Sequence, residues 1–235
     1  MAPLALISVG GLSLLLGQVM GDTISSPLSC LEQMNKVREA AGLPKFVENT
    51  QLLPSEAPKT PDDFWEKLCA KVRGDPATEA VGSAPQGTYA FYPTSEDAGN
   101  CTAAVEFWEG GFSLFNDKLP EKYIASSPNT YSNQRAVSFV ALFNPKPDAS
   151  VHCTFAKCPK TAPEPDLGGR RRLAAETLNS VICITSPEAL VNEQAPFSED
   201  VWNKITAALT GGVKAVGPTA LIALAALALS ASVLI

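Results

Sequence analysis

Apolar and polar positions along this chain follow two periods. Near-continuous apolar runs cover Ala136–Phe143, Val151–Cys158 and Val181–Thr185, and the turn-forming stretch Asn144-Pro-Lys-Pro-Asp148 separates the first two. Short apolar runs bounded by turn residues fit strands buried on both faces, so these segments predict three strands of an antiparallel sheet. Thr88–Tyr92 predicts a further short strand. Spacings of three and four mark the helices. Leu28, Leu31, Met34, Val37 and Ala41 share one face of a helix over Pro27–Ala41, capped by Ser26 and ended by Gly42. Thr60-Pro61-Asp62-Asp63 starts a second helix, with a hydroxyl cap, proline in the first turn and carboxylates at the positive end of the helix dipole. Its apolar stripe is Phe64, Leu68, Cys69 and Val72. Asn100 caps a third helix through Ala103, Ala104, Phe107, Trp108 and Phe115, weakened in its middle by Gly110-Gly111. Ser198 caps a last one, Glu199–Leu209. Leu43–Phe46 reads as extended chain, and Asp75–Gly87, Asn116–Arg135 and Pro159–Ala175 read as loops. The sum is an α+β fold in which helices pack on an antiparallel sheet.

Two terminal segments change the picture. Met1–Gly21 holds an apolar stretch, Ala5–Leu16, and then Val19-Met20-Gly21, the small or medium residues that a signal peptidase reads, although no Lys or Arg precedes it. A cleaved signal peptide is expected. The alternative is a retained signal anchor, for which the apolar stretch is short. Val216–Ile235 carries no charge, and small residues over Thr206–Gly212 and a spacer around Lys214 precede it. That order matches a glycosylphosphatidylinositol (GPI) addition signal, with Ala207, Ala208, Gly211 or Gly212 as acceptor. A plain tail anchor or a buried carboxy-terminal helix are the alternatives. The chain then divides into a signal peptide (1–21), an ectodomain (22–197), a stalk helix and attachment region (198–212) and a removed propeptide (213–235).

A net charge of −6 and a pI near 4.9 argue against a nucleic-acid partner, and leave lipid as the route to the membrane. Six cysteines on a secretory route imply three disulfides among Cys30, Cys69, Cys101, Cys153, Cys158 and Cys183, with fifteen pairings open. Cys-x2-Cys pairs are missing and His152 is the one histidine, so no metal site is expected. The chain has no Gly-x-Ser-x-Gly elbow, phosphate loop or dinucleotide fingerprint. Glu106 and Glu109 share a helix face and read as solvated carboxylates, and His152 reads as structural. No catalytic residue and no cofactor follow. Arg170-Arg171-Arg172 reads as a solvated loop, a site of proteolytic nicking or a contact for anionic glycans. Asn100-Cys101-Thr102 is a glycosylation sequon, in competition with the cap and bridge expected there.

Several stretches carry a resemblance. Asn35-x-x-Arg38-x-x-x-Gly42-Leu43-Pro44-x-Phe46 resembles the first helix and exit of the CAP superfamily (cysteine-rich secretory, antigen 5 and pathogenesis-related proteins). Val151-His152-Cys153-x4-Cys158, followed by Val181-Ile-Cys183-Ile-Thr-Ser-Pro187, is similar to that superfamily's Val-Gly-Cys, Cys and Val-Cys-Asn-Tyr-Ser-Pro elements. The resemblance covers most of residues 28–187 and implies a CAP-like three-layer α-β-α sandwich with a central antiparallel sheet. That superfamily often has two His and two Glu in a metal-holding cleft. Its His-containing strand motif would fall near Arg135–Val140, which has no His, and its Trp-x-x-Glu at Trp108–Gly111 lacks the Glu. His152 stands where the superfamily has Gly, so no metal or catalytic residue carries over. Joined to six cysteines, a signal peptide and a GPI signal, this core resembles the SAG surface antigens of Eimeria, a coccidian parasite. The resemblance implies a non-enzymatic, GPI-anchored surface antigen or adhesin on the outer leaflet, meeting host-cell components and antibodies. A lipid- or sterol-binding module is the second reading, and an enzyme with an unfamiliar site the third.

Overall fold

The sheet grows outward from its two most apolar strands. The structure, a computed structural model, describes residues 24–53, 63–73, 85–125, 128–159 and 177–211. β4 (Ser150–Pro159) and β5 (Thr177–Ser186) pair antiparallel along their full length, with Cys153 opposite Cys183. β3 (Thr88–Thr94) adds to β5 and β1 (Ile24–Leu28) to β4, both antiparallel, giving the order β1-β4-β5-β3. The two-residue β2 (Val47–Glu48) extends the β4 edge in parallel at Ser150–Val151.

Helices cover both faces, which is why β5 is apolar at successive positions. Val181 and Cys183 face one core cluster, while Ile182 and Ile184 face the other. α2 (Asp63–Arg73) covers the second face with Phe64, Leu68, Cys69 and Val72, the stripe expected from its spacing, and with Trp65, which that stripe did not include. The larger cluster joins α1 (Leu31–Ala40), α3 (Cys101–Glu109), α4 (Gln134–Leu142) and α5 (Glu199–Leu209). Two short 3-10 segments, Gly110–Phe115 and Thr130–Ser132, connect α3 to α4.

The expectation for Ala136–Phe143 fails. This run is helix α4, and Arg135–Val140 therefore lies on a helix. Asn133 caps it, its Oδ1 accepting from the Arg135 amide at 2.9 Å. A short apolar run does not distinguish a buried strand from a buried helix, and a helix apolar all round is one enclosed on every side. Ala136 and Ser138–Phe143 are fully buried between the sheet and the other helices.

The first helix is also shorter than expected. Pro27 and Leu28 belong to β1, and Ser26 caps nothing: its carbonyl accepts from Thr154 Oγ1 at 2.9 Å. Cys30 occupies the N-cap position of α1. The far end of α1 agrees with the sequence. Gly42, at φ +64°, follows hydrogen bonds from its own amide to Glu39 O and from Leu43 N to Arg38 O, both 2.9 Å, a Schellman ending.

The predicted caps of α3 and α5 hold. Asn100 Oδ1 accepts from Ala103 N at 3.0 Å, and Ser198 Oγ from Val201 N at 3.3 Å. α5 does not stand clear as a stalk, because Trp202 and Ile205 are buried in the core. Trp202 meets Phe112, Phe115, Phe139 and Phe197, with ring centroids 5.3–6.2 Å away. Gly110-Gly111 ends α3 as an α-helix, and a Cβ on Gly111 would come within 2.6 Å of Arg135 O and 2.7 Å of the Phe139 Cβ. Glycine there lets the helix exit lie directly on α4.

Candidate functional site

The motif that resembles a helix-and-exit element is a buried arginine cage. Arg38 projects from α1 to the carboxy-terminal end of α4, where helix carbonyls lack helical donors. Its Nε donates to Pro44 O at 2.9 Å, and Nη1 donates to Leu142 O and Asn144 O, both at 3.0 Å. The guanidinium carbon sits 3.6 Å from the centroid of the Phe46 ring. Asn35 fixes that ring's backbone, accepting from Phe46 N at 2.7 Å and donating Nδ2 to Phe46 O at 3.1 Å. Burial lowers the Arg38 pKa to about 10, so it stays charged at neutral pH. Asn144, also fully buried, donates to Pro187 O at 2.7 Å and Thr185 Oγ1 at 3.2 Å. Asn35, Arg38, Gly42, Pro44 and Phe46 thus serve to bind α1 to α4.

The six cysteines form Cys30–Cys101, Cys69–Cys158 and Cys153–Cys183. The first joins the starts of α1 and α3, the second ties α2 to β4, and the third bridges register partners on β4 and β5. Cys30, Cys153 and Cys183 place their sulfurs within 4.8 Å of one another, and all three are in disulfides.

His152 faces the α2 side of the sheet. Its Nδ1 accepts from the Leu53 amide at 3.2 Å, so Nε2 carries the proton of the neutral ring. Burial lowers its pKa and Glu48 partly opposes this. Glu109 ends α3 beside an open cleft of about 380 Å³, lined also by Gly110, Phe112, Ser113, Ala208 and Leu209. Burial, with the charge of Glu106, raises the Glu109 pKa. This cleft was not visible in the sequence, since it joins the ends of α3 and α5.

The remaining expected site residues fall in several places. Asn100 is exposed, with its amide oxygen engaged as the cap and Cys101 bridged. Ala207 and Ala208 are half-buried inside α5, whereas Gly211 is exposed just past it at φ +67°. Gly212, Arg170, Arg171 and Arg172 lie outside the described residues, as do segments 1–21 and 213–235. The register pair Pro159–Thr177 roots the arginine-bearing connection at one end of the β4–β5 hairpin. Among the described residues, no helix is long and apolar enough to cross a membrane.

A family model for the sporozoite surface antigen (SAG) protein domain matches residues 26–224. The chain belongs to the SAG family. It is 39% identical over 243 residues to the sporulated oocyst TA4 antigen of Eimeria tenella, across 93% of this chain and 94% of that protein. Among solved structures, it is similar to the Eimeria tenella surface antigen protein SAG19. That match has a TM-score of 0.47 and 16% identity, covering 78% of this chain and 97% of that one. Membership of the SAG surface-antigen family implies a cell-surface location.

Proposed function

We propose that this SAG-family protein is a GPI-anchored surface antigen and adhesin that works by binding a host-cell component through exposed loops, without turnover. The observation that carries the anchoring is the path of α5. Trp202 and Ile205 hold it in the core, and it then delivers the chain to an exposed Gly211, ahead of the uncharged run Val216–Ile235. Lipid joined at Gly211 or Gly212 would tether the domain without unwinding α5, whereas Ala207 or Ala208 would require losing helical turns. Three bridges and a sealed aromatic core support a rigid display scaffold, and a CAP-like three-layer arrangement is part of this reading.

The full chain expressed on cultured cells should be released by phosphatidylinositol-specific phospholipase C, and retention would argue for another anchor. The released protein should bind host epithelial cells saturably; absent binding from folded, bridged protein would leave a passive coat antigen. Arg170→Ala, Arg171→Ala and Arg172→Ala together test the basic loop as a glycan contact. If that loop is nicked, Cys153–Cys183 spans the break, so two fragments should separate only on a reducing gel.

A second reading, lipid or sterol binding, draws on the cleft beside Phe112, Ala208 and Leu209. Mass spectrometry of organic extracts from the purified protein tests it, and lipid-free extracts would remove it.

A further inference from the structure

Two disulfides meet in the larger core cluster. Cys30, Cys153 and Cys183 lie within 4.8 Å of one another although Cys30 is bridged to Cys101. These three are buried, whereas Cys101 is half-buried at the start of α3, its sulfur 3.5 Å from the Ser29 carbonyl oxygen. We propose that this grouping is a thiol-exchange site, entered at Cys101 by a small external monothiol and propagated into the sheet by Cys30.

The chemistry balances without an added oxidant. The external thiolate attacks Cys101 Sγ, the accessible sulfur of the bridge, and forms a mixed disulfide there. The Cys30–Cys101 bond breaks, and its electron pair leaves with Cys30 as a thiolate. Cys30 sits at the N-cap position of the ten-residue α1, where its sulfur caps no helix amide but the positive end of the helix dipole favours a thiolate as the leaving group. That thiolate then attacks Cys153 or Cys183. A new bridge to Cys30 forms, and the displaced strand sulfur leaves as the thiolate. One thiolate enters and one emerges. The link between α1 and α3 is exchanged for a link between α1 and the sheet.

Cys69–Cys158 supplies an internal control, because it lies on the opposite face of the sheet, in the α2 cluster. Full-length chain in detergent would be treated with graded reduced glutathione, acid-quenched, alkylated and mapped by peptide mass spectrometry. The expected product carries glutathione on Cys101 and a Cys30–Cys153 or Cys30–Cys183 bridge, with Cys69–Cys158 intact. Glutathione appearing first elsewhere would overturn the proposal. So would alkylation of Cys30 while Cys153–Cys183 stays whole, or no reaction before global unfolding. A Cys101→Ser chain removes the need for glutathione. Its one unpaired thiol should distribute over Cys30, Cys153 and Cys183, and labelling confined to Cys30 would contradict the relay.

Discussion

Replacing Arg38 with methionine removes a charge from the fully buried junction of α1 and α4 while keeping a side chain of similar length. Three carbonyls, on Pro44, Leu142 and Asn144, lose their guanidinium donor. A buried acceptor left without a partner costs about 1–3 kcal/mol, which sets a gross loss of roughly 3–9 kcal/mol. Contact with the Phe46 ring adds about 0.5–2 kcal/mol to what is forfeited. Against this, methionine does not bury a charge, and exchanging a buried ion for a well-packed apolar side chain can return about 1–4 kcal/mol. The expected net loss is about 2.5–7 kcal/mol, a large part of the ~5–15 kcal/mol that holds a typical domain together. In a chain of this size that corresponds to a melting temperature lower by roughly 5–28 °C. Thermal and urea unfolding of disulfide-intact protein, followed by tryptophan fluorescence, measures it directly. Arg38→Lys separates charge from shape: an ammonium keeps the charge but cannot span the three carbonyls or stack flat on Phe46, so it too should lose stability. An Arg38→Met protein as stable as the parent would show that apolar filling replaces the cage, and would refute its assignment as the joint between α1 and α4.

Asn100→Asp should leave the α3 cap in place while abolishing any glycan, so loss of an electrophoretic shift without loss of stability would establish modification at Nδ2; Asn100→Ala should cost about 1 kcal/mol. Gly111→Ala forces a Cβ to within 2.6 Å of the Arg135 carbonyl oxygen and should destabilise by about 1–3 kcal/mol, read from the urea midpoint at constant slope. Ser138→Ala removes the acceptor for the Phe91 amide, 3.0 Å away, and should cost about 1–3 kcal/mol in the same assay. His152 has a folded pKa below its ordinary value, so the unfolded chain binds more protons and stability falls as pH drops below about 6.5, down to the folded value. His152→Asn, which keeps an acceptor for Leu53 N, should remove that slope relative to the parent, and unchanged slopes would assign the effect to carboxylates.

Elements whose signals are local were legible in the sequence. β4 and β5 are apolar on both faces because helices cover both, α2 shows its stripe, and Asn100, Ser198 and Gly42 mark helix boundaries by their own chemistry. Family membership was legible too, but only from a combination: the motifs around Arg38 and the strand cysteines taken together with six cysteines and the expected signal-peptide and GPI segments. What failed depended on distant partners. Ala136–Phe143 has strand-like composition, and only enclosure by sheet and helices makes it α4. Ser25 and Ser26 become strand because Ala156 and Phe155 lie opposite them, which nothing near them announces. The bridge partners are separated by 71, 89 and 30 residues, distances over which spacing carries no pairing information. The cleft at Glu109 was hidden for the same reason, since it requires the end of α5 beside the end of α3.

The misread helix also explains how the sheet ends. Among the described residues β3 is an edge strand, and unpaired edges invite a second chain to add alongside. Here side chains occupy the outward polar groups of β3. Gln134 Nε2 donates to Tyr89 O at 3.4 Å, the Phe91 amide donates to Ser138 Oγ at 3.0 Å, and Trp108 Nε1 donates to Phe91 O at 2.9 Å. Ser138 in turn donates to the Gln134 carbonyl of its own helix at 2.8 Å, so one hydroxyl serves both α4 and β3. At the other edge, Pro27 removes an amide from β1. A polar serine inside an otherwise apolar helix, and a tryptophan whose ring nitrogen points at a strand, are thus explained by what β3 lacks among the described residues, a second neighbouring strand. These side chains against β3, and the proline in β1, leave fewer free backbone groups at the sheet's edges for a second copy to pair with.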